Sequence, residues 1–161
     1  MKKVLSILTI ITLSFCLIIG CGTNSSNNST ESANTVAEKV QLQFVEAISS
    51  ETNIENVANQ IITNPVFEDI SMGVIPVEEG FLNGFNGEIT GFDSGVMFAP
   101  MIGTIPFVGY IFETNDSTTL TNNLEANAML NWNICTQADQ MLIKTVDNYV
   151  LFVMAPNSFD E

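Results

Sequence analysis

Two stretches of this chain lack a polar face. In 107–112, Phe107, Gly109 and Ile111 alternate with Val108, Tyr110 and Phe112; in 149–154, Tyr149, Leu151 and Val153 alternate with Val150, Phe152 and Met154. Successive side chains of a strand point to opposite faces, so a sheet with one wetted face needs polar residues at alternate positions. These strands have no such alternation, and each must be covered on both sides. Either helices close both faces, or one face meets a partner, with Tyr110, Phe112 and Tyr149 as the contact candidates of a docking or dimer face.

The rest of the chain supplies helices to do the covering. Val36, Val40, Phe44 and Ile48, with Ala37 and Val45 beside them, fall on one helical stripe. Thr52 followed by Glu55 matches a capping box. Behind it Ile54, Val57, Ala58, Ile61 and Ile62 keep the 3.6-residue period until Pro65 ends it. Residues 70–77 read as a strand. Five glycines (80, 84, 87, 91 and 95) then predict turns whose spacers Phe81, Leu82, Phe85, Ile89 and Phe92 tuck into the core. Strands follow over 96–101 and 106–113, with Ile102-Gly103-Thr104 as the bend between them. Asp116-Ser117 caps a third helix whose stripe is Leu120, Leu124, Ala128 and Trp132. The last two strands, 141–146 and 149–154, flank Asp147-Asn148, a pair suited to a two-residue hairpin turn. The expected fold is α+β, with helices packed on a mostly antiparallel sheet and a ferredoxin-like half over 106–154. No charge falls between 94 and 112, long enough for a membrane span, but Pro100, Gly103, Pro106 and Gly109 argue against one continuous helix there.

The amino terminus is of another kind. Lys2 and Lys3 precede an uncharged, largely apolar run from Val4 to Ile19. That is the n-region and h-region of an export signal, short for a stable span. Ile18-Ile19-Gly20-Cys21 then matches a bacterial lipobox: aliphatic, tolerant, small, cysteine. A small residue before the cysteine opens the backbone to a peptidase, and the thiol is a nucleophile able to carry a diacylglyceryl thioether. The resemblance to lipoproteins implies cleavage between Gly20 and Cys21 by lipoprotein-processing enzymes, lipidation of Cys21, and attachment to the outer face of a bacterial cell membrane. Stable anchoring takes two acyl chains, which such a cysteine carries. Residues 22–35 hold no large apolar side chain and read as a disordered tether with a coil dimension of roughly 20 Å. The organisation expected is a signal over 1–20, a lipidated tether over 21–35 and one acidic domain over 36–157.

Charge and residue types exclude much. After the signal only Lys39 and Lys144 oppose eighteen carboxylates, and the chain has no arginine or histidine. Such a surface repels phosphate backbones, which excludes nucleic acid as a partner. Without histidine there is no Ser-His-Asp triad, Cys-His pair or HExxH zinc site. Cys16 leaves with the signal and Cys21 is alkylated, so Cys135 is left without a disulfide partner. It reads as a small buried residue near Trp132 and Ile134, since no His or Arg is present to activate it.

Carboxylates are the only abundant reactive group. The adjacent pairs Glu68-Asp69, Glu78-Glu79 and Asp160-Glu161 do not face each other across a sugar by themselves, because neighbours on a strand point apart. In the glycine-rich loop Asn83, Asn86, Glu88, Asp93 and Ser94 offer hard oxygens, with Asn86, Glu88 and Asp93 as weak calcium candidates, although their spacing is not that of an EF-hand. No cofactor is implied.

The runs Phe81-Leu82-Asn83-Gly84-Phe85, Ile89-Thr90-Gly91-Phe92, Met97 to Gly103, Pro106 to Tyr110, Trp132 to Cys135 and Val150 to Met154 together resemble small lipoproteins of low-GC Gram-positive bacteria. The resemblance covers most of 54–156 and implies location and a single small domain, but no catalytic residues. The expected function is a non-catalytic interaction or ligand-binding module anchored at the membrane, with an envelope protein or a second copy as partner. The alternative is a small carboxylate-dependent hydrolase acting on cell-wall or dietary glycans.

Overall fold

The computed structural model describes residues 33–159. The expected signal, Gly20, Cys21 and most of the expected tether lie outside these residues. Helix α1 (Val36–Ile48) begins at Thr35, whose side chain accepts from the Glu38 N–H while the Glu38 carboxylate accepts from the Thr35 N–H, a reciprocal capping box. Its stripe of Val36, Ala37, Val40, Phe44 and Ile48 is buried, and Val45 turns outward. Helix α2 (Ile54–Ile61) starts one residue later than the Thr52 cap expected: Asn53 is the N-cap, its side-chain oxygen accepting from the Asn56 N–H. Pro65 opens a short 3-10 turn, Pro65–Phe67.

The main sheet has five strands, β1 (Met72–Val77), β4 (Ser94–Pro100), β5 (Val108–Glu113), β7 (Tyr149–Ala155) and β6 (Gln140–Val146), in that spatial order and antiparallel throughout. Two short strands unforeseen in the sequence, β2 (Gly80–Phe81) and β3 (Glu88–Ile89), pair with each other inside the glycine-rich segment. Helix α3 (Ser117–Asn127) is capped by Asp116, as expected. It ends before Trp132, which lies in the following loop. The segment β5–α3–β6–β7 is a split β-α-β unit: β7 lies between β5 and β6 and runs antiparallel to both. The ferredoxin-like expectation holds for this half, while the α1–α2–β1–β4 half departs from it. Asp147 takes φ 51° in the two-residue loop that joins Val146 to its partner Tyr149, a left-handed position that Asp tolerates.

Both sheet faces are covered, so the choice left open by the sequence is decided for the central strands. Helices α1 and α2 bury one face, with Phe98, Phe107, Ile111, Leu151 and Val153. The other face, with Val108, Tyr110, Phe112, Phe152 and Met154, packs under Leu120 and Leu124 of α3 and under Phe85 and Ile89. The glycine-rich segment thus completes a layer that one short helix leaves unfinished. Gly84 makes this possible. Its φ is +93°, and a Cβ there would run into the Met154 methyl. No helix among the described residues is long and apolar enough to cross a membrane, and the charge-free run 94–112 forms β4, a loop and most of β5.

Candidate functional site

Tyr110 and Phe112 were candidates for a docking face, and the structure corrects that expectation. Both are fully buried. The Tyr110 ring lies parallel to that of Phe112 at 5.5 Å and tilts against Phe85 at 5.7 Å. Its hydroxyl donates to the Asn83 carbonyl at 2.8 Å, and burial pushes the phenol well above its ordinary pKa of 10.0. Tyr149 is half-buried on the opposite face against α1 and α2, and its hydroxyl donates to the Thr52 carbonyl at 3.3 Å. The three residues therefore form no common surface.

The calcium candidates stand in different settings. Asn86 donates its N–H to the Asn127 carbonyl at the end of α3. Glu88 is an exposed residue of β3, paired with Phe81. The Asp93 carboxylate accepts from the Asn115 amide at 2.8 Å. Among the described residues no group of three or more His, Cys, Asp or Glu side chains is placed to hold a metal ion. Among the described residues, the carboxylates whose pKa values are displaced, Glu38, Glu51 and Asp116, are all lowered by hydrogen bonds at helix starts. That is the opposite of what a general acid needs.

What the fold does build is a groove of about 1130 Å³ at one end of the sheet. Five segments line it: Asn34, Val36 and Lys39 at the start of α1; Pro65, Val66, Glu68 and Asp69 around the 3-10 turn; Thr104 to Pro106 before β5; Thr136, Gln137 and Asp139 before β6; and Pro156 to Phe159 after β7. The last segment is held by a small network. Asn157 donates its N–H to the Asp139 carboxylate at 2.8 Å and accepts from the Val36 N–H at 3.2 Å. Phe159 then lies against Phe67 and Phe107, at 5.8 and 6.0 Å between ring centroids. Prolines 65, 106 and 156 stiffen three of the five segments. The groove therefore has one aromatic wall residue, Phe159, backed by the buried rings of Phe67 and Phe107, one cation at Lys39, and the exposed carboxylates Glu68, Asp69 and Asp139.

Beside it, two loops are tied together. The Asn133 amide donates to the Gly103 carbonyl at 2.7 Å, and the Thr136 hydroxyl donates to the Thr104 carbonyl at 2.9 Å. On these loops Met101, Ile102 and Ile134 are 73%, 64% and 99% exposed. Cys135, expected to be buried, is exposed as well. Sequence reasoning missed both features. It treated Glu68-Asp69 only as a sequence pair, and it assigned the charge-free run 94–112 wholly to strands and their bend. A usable signal was there in Ile102 and Ile134, large apolar residues standing in Gly- and Asn-containing loops. No family model, curated protein or solved structure matches the chain.

Proposed function

We propose that this chain is a bacterial lipoprotein, exported on its first twenty residues and held by lipid on Cys21 at the outer face of the cell membrane, where its α+β domain acts as a non-catalytic binding module. The lipobox Ile18-Ile19-Gly20-Cys21 behind Lys2, Lys3 and the apolar run supports the anchor. The groove carries the binding assignment: its volume of about 1130 Å³ lies just above the roughly 300–1,000 Å³ of small-molecule sites. Aromatic, cationic and acidic groups line it together. Glu68, Asp69 and Asp139 are all exposed, whereas a glycosidase acid needs a buried, apolar setting to keep its proton. The binding reading is therefore favoured over the glycan hydrolase.

Native mass spectrometry of the protein extracted from its own membrane tests this. Wild type is expected to carry a species of fixed mass. Gln137→Trp, at an exposed position that fills the groove, is expected to lower its occupancy about tenfold at equal protein concentration. A protein with nothing bound, or one that releases cleaved glycan fragments, would overturn the assignment.

A further inference from the structure

The tied loops offer a second surface. Chain segments 94–112 and 126–138 carry no charged residue in a chain that otherwise spreads eighteen carboxylates along its length after position 30. Their tips expose Met101, Ile102 and Ile134, and the chain's one tryptophan, Trp132, sits half-buried two residues before Ile134. By contrast, the exposed Leu42 stands on α1 among Glu38, Lys39 and Glu46. The hydrogen bonds from Asn133 and Thr136 to the 103–104 backbone hold the two tips side by side.

Chain connectivity says what this surface meets. Thr104, Ile105, Thr136 and Gln137 border the same groove as Asn34 and Val36, so the chain enters the domain beside the tips. Only residues 22–33 separate Cys21 from Asn34, a reach of at most roughly 45 Å. At a coil dimension of roughly 20 Å, a lipid on Cys21 would hold the point where the chain enters the domain near the bilayer. Apolar side chains with a neighbouring tryptophan suit the headgroup–acyl boundary. Glu68, Asp69 and Asp139 on the groove disfavour an anionic surface, so zwitterionic headgroups fit best.

We infer that the paired tips around Met101, Ile102 and Ile134 dip into the same bilayer that carries the Cys21 lipid, fixing the orientation of the domain so that the groove opens close to the membrane surface. This rests on the lipoprotein reading above.

Cys135 supplies the probe, since it is exposed and the Cys21 thiol would be blocked by its thioether. The lipidated full chain is spin-labelled at Cys135 and reconstituted in phosphatidylcholine vesicles, with lipid on Cys21 verified by mass. The label is expected to be accessible to dissolved oxygen and protected from a water-soluble nickel chelate. The exposed-site variant Met101→Ser/Ile102→Ser/Ile134→Ser is expected to reverse this while Cys21 stays lipidated. Trp132 emission, quenched by brominated lipid in wild type and not in the variant, gives a second readout. A label open to the chelate in lipidated wild type would overturn the inference and leave the anchor intact. Protection found only in native membranes would also overturn it, in favour of a protein partner. A Cys21 without lipid would overturn both readings.

Discussion

Tyr110 shows how a single residue separates the two ways of covering a bare sheet. Its place on one strand face with Val108 and Phe112 is equally that of a docking face and of a core, and nothing local distinguishes them. The structure puts a phenol at zero exposure and satisfies its hydroxyl with the Asn83 carbonyl, which is brought over the sheet by the turn at Gly84. Tyr110→Phe deletes this hydrogen bond and is expected to cost about 0.5–1.5 kcal/mol. Tyr110→Asp places an unpaired carboxylate in the core and is expected to abolish cooperative unfolding rather than to change association. Chemical denaturation followed at Trp132 checks both. A folded Tyr110→Asp protein would contradict the burial described here. Cys135 makes the converse point. It was expected inside because its sequence neighbours are apolar, but Ile134 is itself outside, so that neighbourhood was no guide to burial.

At the scale of elements, periodicity was a good guide wherever a stripe met a layer. Helix α1 follows its apolar stripe from Val36 to Ile48, α2 follows Ile54 to Ile61, and the hairpin at Asp147-Asn148 keeps its register. Caps were harder to read. Thr52 and Glu55 have the right spacing for a box, but Asn53 is nearer to the first helical N–H groups and takes the role, while the working box is Thr35 with Glu38. Strands β2 and β3 are two residues each, too short for alternation to reveal. The Glu38 carboxylate is held below its ordinary 4.5 mainly by the Thr35 and Asn34 N–H groups. A carboxylate with a depressed folded-state pKa adds stability above its unfolded pKa and loses it as pH falls through the folded value. Glu38→Gln is therefore expected to lower the melting temperature at pH 7, with the gap to wild type closing below about pH 4. Calorimetry across that range checks the sign; a gap that is constant with pH would remove the electrostatic part of the cap.

For the whole molecule, the decisive property is a sheet closed on both sides by unequal means. Two helices cover one face; on the other, a single short helix shares the work with the glycine-rich segment and the loop before β6. The order of helices and strands read from periodicity pointed to an α+β arrangement, and the strand–helix–strand order of 106–154 pointed to a ferredoxin-like half. The groove was not legible, because it gathers residues from 34 to 159 through contacts that no local pattern encodes. The proposed functional account places this domain at a membrane, and everything above it depends on Cys21. The most direct test is the intact mass and amino-terminal peptide of the protein expressed in a bacterium with its lipoprotein-processing enzymes. The account predicts that residues 1–20 are absent and that Cys21 is the first residue, carrying a thioether-linked diacylglyceryl group. A chain that retains residues 1–20, or that begins elsewhere with an unmodified Cys21 thiol, would contradict it.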